Sequence, residues 1–245
     1  MHSYKSSDIM KFIFIIILSM FYFLSSAVAN EDALREKIEK AYPEITISSV
    51  VKTKFNNLYE VLIGDQIIYT DEKFSFLIIG KVVDPNTRKD LTQARVDELT
   101  KVDFNSLPFD QSIKIVKGDG STKLAVFSDV DCPFCKKLER EALKELNDAT
   151  IYIFLYPLDI HPDAKPKSAK IWCAKNRAEA WLDFMLNNKM VENDGNCKTP
   201  ITETLALGRS LGITATPTII LSTGKRVPGA LSFEELDKFL KGFYD

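Results

Sequence analysis

Cys132-Pro133-Phe134-Cys135 is the segment of this chain whose residue types and spacing point most directly to chemistry. Two thiols two residues apart suit thiol–disulfide exchange when a strand delivers them to the first turn of a helix. The flanks have that form. Leu124-Ala125-Val126-Phe127 is an apolar run, and Lys136 to Leu143 has helical spacing. At a helix N-terminus the orphan N–H groups and the positive dipole end favour a thiolate on Cys132. Pro133 fits the first helical position, where its missing N–H costs nothing. Cys132 is therefore the expected nucleophile, and Cys135, one turn in, the resolving thiol. Nearby charges pull both ways: Lys136 and Lys137 would lower the Cys132 pKa, whereas Asp129 and Asp131 would raise it. The direction of the chemistry (oxidation, reduction or isomerisation) stays open at this level.

A zinc site built on the same thiols needs two further ligands. Behind the export signal described below there is one histidine, His161, and no second C-x-x-C, so neither metal nor cofactor is expected. His161 reads as a loop residue with no nucleophile to serve. The remaining cysteines, Cys173 and Cys197, lie on either side of a helix and its Asn/Gly-rich exit, Asn187 to Asn196. The expected arrangement is a static disulfide stapling this stretch, which loop-closure arithmetic puts at roughly 3–4 kcal/mol. The alternative is a second redox pair, disfavoured because neither cysteine sits at an evident helix N-terminus beside a strand.

Residues 1–29 have the layout of an export signal, with Lys5 and Lys11, an apolar run from Phe12 to Leu24, and Ala27-Val28-Ala29 for cleavage after Ala29. The run falls short of the roughly 20 residues that span a bilayer, so no membrane attachment is expected once the signal is cut. Export makes disulfides permissible, which the cytosol would not. The chain carries 32 Lys and Arg against 34 Asp and Glu. Losing Lys5, Lys11 and Asp8 leaves about −3, with no electrostatic case for nucleic acid or anionic lipid.

The elements that would position these residues fall into two groups. Residues 31–42 form a short amphipathic helix with Leu34, Ile38 and Ala41 on one face, stopped by Pro43. Four β-branched and aromatic runs follow, around 45–55, 58–63, 66–70 and 74–83, punctuated by turn residues, and they predict a small antiparallel sheet. Such a unit has a thin core that oligomerisation commonly supplements. Helical spacing over 90–104 then predicts a linker helix. The expected division is 30–88, a linker at 89–110, and a second domain at 111–245.

From residue 112 the elements alternate. Strands are predicted at 113–116, 124–127 and 151–156, with a helix over 132–147 between the last two. A mostly helical stretch, 163–211, precedes a hairpin of Thr218–Leu221 with Arg226-Val227 and a closing helix, Phe233–Phe243. This is the thioredoxin pattern with a helical insertion, an α+β chain overall. In that pattern the proline opening the strand opposite the C-x-x-C is cis, so Thr216-Pro217 is expected to be cis and to present the Thr216 backbone to a bound peptide.

Several segments together are specific. They are Phe127 to Leu138, Ile171-Trp172-Cys173-Ala174-Lys175, Leu207 to Pro217, and Val227-Pro228-Gly229. From about residue 31 to the C-terminus the chain resembles the bacterial periplasmic disulfide isomerases, the DsbC and DsbG family. The resemblance implies a V-shaped homodimer whose N-terminal cystatin-like dimerisation domains pair to form an uncharged cleft, with a thioredoxin-like catalytic domain on each arm. It implies misoxidised exported proteins as substrates and a DsbD-like membrane reductase as partner. By position it makes Cys132 and Cys135 the redox-active pair, Thr216 and Pro217 the substrate-binding pair, and Cys173–Cys197 the structural bridge. Pro133-Phe134 stands where a well-known member has Gly-Tyr, and Asp131 replaces a neutral residue. The competing functions are a DsbA-like thiol oxidase and a non-catalytic chaperone that binds unfolded chains.

Overall fold

The computed structural model describes residues 30–64 and 66–242. The expected signal, its cleavage point and the last residue of the predicted closing helix lie outside the described residues. Among those described, no helix is long and apolar enough to cross a membrane. The chain divides into two compact units, one ending at Val96 and one starting at Asp97.

In the first unit, helix α1 covers 30–41. Its Leu34 and Ile38 are fully buried, while Ala41, expected on the same face, is exposed. They pack on an antiparallel sheet of β1 (Ile47–Lys52), β2 (Tyr59–Ile63) and β3 (Gln66–Thr70), in that order. Val61 faces Val50 on one side and Ile68 on the other, and these join Ile47, Tyr59, Leu34 and Ile38 in one small core.

The fourth predicted strand, 74–83, does not form as a strand. Asp71 accepts the Ser75 N–H at 2.7 Å and Phe74 takes φ +58°, which turns the chain sharply after β3. Two residues reach back to β3: Ile78 exchanges two backbone hydrogen bonds with Tyr69 (2.8 and 3.0 Å), and the Phe76 carbonyl accepts the Thr70 hydroxyl (2.6 Å). Phe76, Leu77, Ile78, Ile79 and Val83 are left exposed.

The predicted linker helix over 89–110 is also replaced by shorter pieces. Helix α2 runs only Leu91–Leu99. Past it, the Val102 N–H donates to the Gly224 carbonyl instead of continuing the helix (3.0 Å). Asp103 then caps a 3-10 turn at Phe104–Ser106, and another turn covers Phe109–Gln111.

The second unit is built on a five-stranded sheet. Its strands are β4 (Ile113–Lys117), β5 (Thr122–Ser128), β6 (Ala149–Leu155), β7 (Thr218–Leu221) and β8 (Arg226–Pro228), in the spatial order β4-β6-β5-β7-β8. β5 runs parallel to β6 and antiparallel to β7. The parallel pair requires a crossover, which α3 (Pro133–Glu141) supplies. The predicted helix to residue 147 breaks at Ala142 into a 3-10 turn, Leu143–Glu145. The insertion holds α4 (Ala164–Trp172), α5 (Arg177–Asn187) and α6 (Ile201–Ser210), and α7 (Phe233–Leu240) closes the chain under a Ser232–Glu235 capping box.

β5 is buried from Leu124 to Ser128 because both faces are covered. Leu124 and Val126 join the core beneath α3 and α5, while Ala125 and Phe127 pack on the other side with Phe154, Tyr156 and Ile220. Phe127 stacks on Phe154 at 4.9 Å between ring centres. Tyr156 abuts α6 at Gly208, where any Cβ would overlap its ring.

Several ionisable side chains are buried among the described residues, and Glu139 is one of them. Glu139 of α3 is 3% exposed and accepts a hydrogen bond from the Trp181 indole N–H (3.2 Å). Burial pushes its carboxyl from 4.5 up to about 7. The unfolded chain therefore releases this proton at lower pH than the folded one, so stability falls as pH rises from about 4.5 to 7 and levels off above. Glu139→Gln keeps an acceptor for the indole and removes the ionisation. It is expected to add roughly 1–3 kcal/mol at pH 8 and little at pH 4.5. Urea unfolding of both proteins at the two pH values measures this, and an unchanged pH dependence would remove Glu139 as its source.

Candidate active site

The site forms where β5 ends. Ser128 is the last residue of the strand, Asp129 to Asp131 turn the chain, and Cys132 is the N-cap of α3 with Pro133 in the first turn. The sheet thus fixes the cysteine segment from below, and the helix fixes it from above. Cys132 and Cys135 are free thiols, 4% and 1% exposed. Cys135 is packed against the strand end, where its Sγ accepts the Asp129 N–H (3.4 Å).

β7 brings the second part. Thr216–Pro217 is a cis peptide, as the sequence predicts, and the Thr216 carbonyl oxygen lies 3.4 Å from Cys132 Sγ. Residues 84 positions apart in the chain are thus in direct contact.

The two thiols are strongly differentiated. A hydrogen bond from the Cys135 thiol lowers the Cys132 pKa to about 5 against the opposing cost of burial, with help from the Cys135 and Phe134 N–H groups. Burial, and then the hydrogen bond given to Cys132, push Cys135 far above the ordinary thiol range. One thiol is poised as thiolate and the other is held protonated until a partner accepts its hydrogen.

The charges around the pair differ from their expected roles. Lys136 donates to Asn188 Oδ1 (2.6 Å) and lies over the Phe184 ring, and Lys137 pairs with Glu141 (3.7 Å), so both lysines are engaged elsewhere. Asp131 is bridged by Lys167 of α4, 2.8 Å from each oxygen. Asp129 is completely buried and accepts three hydrogen bonds, from the N–H groups of Asp131 (2.8 Å) and Leu158 (2.7 Å) and from His161 Nδ1 (2.9 Å). From the sequence, His161 is expected to be a loop residue with no nucleophile to serve. It is in a loop, but it is bonded to the carboxyl directly behind the thiols. His161 and Lys167 lie 32 and 36 positions downstream of the aspartates they meet, so local patterning carries no sign of either pairing.

Cys173 and Cys197 are bonded (S–S 2.01 Å, Cα–Cα 5.7 Å) and tie the end of α4 to the segment before α6. The staple is reinforced by the Trp172 indole N–H on the Lys198 carbonyl (3.2 Å) and the Asn193 side chain on the Lys170 carbonyl (2.9 Å). It thereby secures the start of the insertion, which carries Lys167. Phe134, between the two cysteines, and Ile160, next to His161 in the chain, are 61% and 77% exposed.

Comparison with known proteins agrees with both units. The family described as "Thioredoxin-like domain" matches residues 109–243, and the "Disulfide bond isomerase protein N-terminal domain" matches 25–93. A probable thiol:disulfide interchange protein DsbC of Bordetella parapertussis is 39% identical over 206 residues, covering 84% of this chain and 72% of that protein. The chain belongs to the DsbC family. The DsbC of Escherichia coli K12 is 26% identical over 223 residues, covering 89% of this chain and 90% of its own. The crystal structure of a disulfide interchange protein from Neisseria gonorrhoeae aligns with 56% of this chain and 97% of its own, at 39% identity and a TM-score of 0.54. Membership accounts for the α+β architecture, with a DsbC-type N-terminal domain before a thioredoxin-like one.

The thiol asymmetry is directly measurable. In the reduced, folded protein, iodoacetamide is expected to modify Cys132 with a half-maximal rate near pH 5, and Cys135 only after unfolding. Peptide mass mapping assigns the label. A Cys132 profile centred in the ordinary thiol range would refute the acidification.

Proposed function

We propose that this chain is a periplasmic thiol:disulfide isomerase in which Cys132 is the nucleophile and Cys135 the resolving thiol. The observation that carries this reading is the Cys132 sulfur at the α3 N-cap, made acidic by its neighbours and facing the Thr216 carbonyl at 3.4 Å. The Cys132 thiolate attacks one sulfur of a wrong substrate disulfide. That S–S bond breaks, its other sulfur leaves as a thiolate, and a mixed disulfide with Cys132 forms. A different substrate thiolate then attacks the substrate sulfur, forming the new disulfide and returning Cys132 as thiolate, with no net oxidation.

If no substrate thiol arrives, Cys135 gives up its proton and attacks Cys132 Sγ. The substrate leaves reduced, and a Cys132–Cys135 disulfide forms. Two electrons from a DsbD-like membrane reductase would restore the dithiol. Thr216 and Pro217 offer backbone to the substrate segment beside the cysteine, as in strand addition. Phe134 and Ile160 supply apolar contact suited to unfolded chains, which supports chaperone-type binding alongside catalysis.

The chain acts as a homodimer in this reading. The exposed run Phe76 to Ile79, with Val83, lies on a unit whose own core is small, and a second copy is the partner that covers it. Export rests on residues 1–29, with cleavage after Ala29.

Two outcomes test the proposal. Cys132→Ala is expected to abolish refolding of scrambled ribonuclease while still suppressing aggregation of an unfolded protein; full refolding activity in that variant would sink the mechanism. Alkylation trapping in cells separates isomerase from oxidase, since the isomerase keeps Cys132 and Cys135 mainly reduced and an oxidase keeps them mainly oxidised. For the dimer, Ile79→Asp is expected to shift sedimentation to the monomer with Cys132 alkylation unchanged. A persistent dimer would move the interface away from 76–83.

A further inference from the structure

The dipeptide between the cysteines offers no histidine, yet an imidazole stands behind them. His161, in the loop after β6, bonds through Nδ1 to Oδ2 of the buried Asp129 (2.9 Å). Asp129 is in turn bound to both cysteines through its backbone. Its N–H lies 3.4 Å from Cys135 Sγ, and its carbonyl accepts the Cys132 N–H at 3.3 Å. Asp131, adjacent to Cys132, is held by Lys167. Two carboxyl groups thus flank the nucleophile, and each has one basic partner, His161 from the loop before the insertion and Lys167 from its first helix. Lysine keeps its charge through the neutral range, whereas histidine does not.

We propose that His161 is an electrostatic positioning residue for Cys132, whose imidazolium offsets the buried Asp129 carboxylate and so favours the Cys132 thiolate, a support withdrawn when the imidazole loses its proton. The proposal rests on the assignment of Cys132 as nucleophile and deepens it. The groups facing His161 are Asp129 from the end of β5, and Asp131 and Cys132 from the entry to α3, with Lys167 of α4 across Asp131. Its own loop also carries Asp159 and Asp163. The hydrogen bond to Asp129 is the main reason that His161 holds its proton above the ordinary 6.5, and the Cys132 charge adds to it. Coupling of two ionisations is reciprocal, so the imidazolium makes Cys132 more acidic to the same degree. Below the His161 pKa the thiolate is therefore populated in mildly acidic medium. Above it the Cys132 pKa drifts up, and since thiolate already dominates there, the sulfur becomes the stronger nucleophile.

The test is the pH profile of iodoacetamide alkylation at Cys132, assigned by peptide mass, in full-length wild type, His161→Gln and His161→Arg. Wild type is expected to show two inflections, one for thiolate formation and a second above 6.5 where reactivity rises again. His161→Gln should show one inflection, displaced upward, with thiolate at pH 5.5 reduced roughly three- to tenfold. His161→Arg should keep the low inflection and lose the second. Superimposable profiles for wild type and His161→Gln would overturn the proposal while leaving Cys132 as nucleophile. Alkylation first at another cysteine would overturn that assignment too. If His161→Gln does not fold by circular dichroism, wild type against His161→Arg decides, and the same second inflection in both overturns the proposal.

Discussion

Everything at the active site depends on β5 being held from both sides at the centre of its sheet. Its parallel pairing with β6 and antiparallel pairing with β7 fix its position along the strand direction. Burial of both faces fixes its depth. Because β5 cannot slide, the residues after it leave the sheet at one place, and Cys132 becomes the N-cap of α3 rather than one more residue of a surface loop. The same ladder registers Phe127 against Thr218, which brings Thr216 and Pro217 to the sulfur. A thiolate gains from a helix N-terminus only if the sulfur is held there, and the sheet does the holding.

The second constraint is the disposal of negative charge. A sequence with Asp129 and Asp131 immediately before the nucleophile looks unsuited to a thiolate. The structure answers by burying one carboxyl beneath three hydrogen bonds and bridging the other to a lysine. One basic partner comes from the loop just before the insertion and the other from α4, whose end is tied by the Cys173–Cys197 bridge. The insertion and its disulfide thus have a bearing on the site that distance along the chain conceals. Buried charge near a reacting sulfur tunes it only when each carboxyl has a fixed partner, since an uncompensated one would drive the thiol toward its neutral form.

The N-terminal unit follows a different economy. A helix of two buried side chains on three short strands encloses a small core, and the apolar residues of 76–79 find no cover within it. Exposed apolar side chains in a row on a marginal domain have a physical cost that a second copy removes, which is why the dimer belongs to the same functional reading as the thiols.

Thiol–disulfide exchange as a class of chemistry, and the class of fold, are legible in the chain's local patterns. C-x-x-C spacing, Pro133 at the helix start, the period-two runs and the alternation after residue 112 are local signals, readable because helices and strands are set by neighbours a few positions apart. The cis Thr216–Pro217 bond and the Cys173–Cys197 pairing were also legible, through the thioredoxin pattern and cysteine arithmetic. Tertiary structure decided the rest. Strand 74–83 failed because no neighbour in the described chain pairs along it, and the linker helix stopped at Leu99 because Val102 found the Gly224 carbonyl. Lys136 and Lys137, close to Cys132 in sequence, are engaged away from it, whereas His161 and Lys167, remote in sequence, compensate its flanking acids. Electrostatic coupling acts through distance in space, and only the folded chain sets that distance.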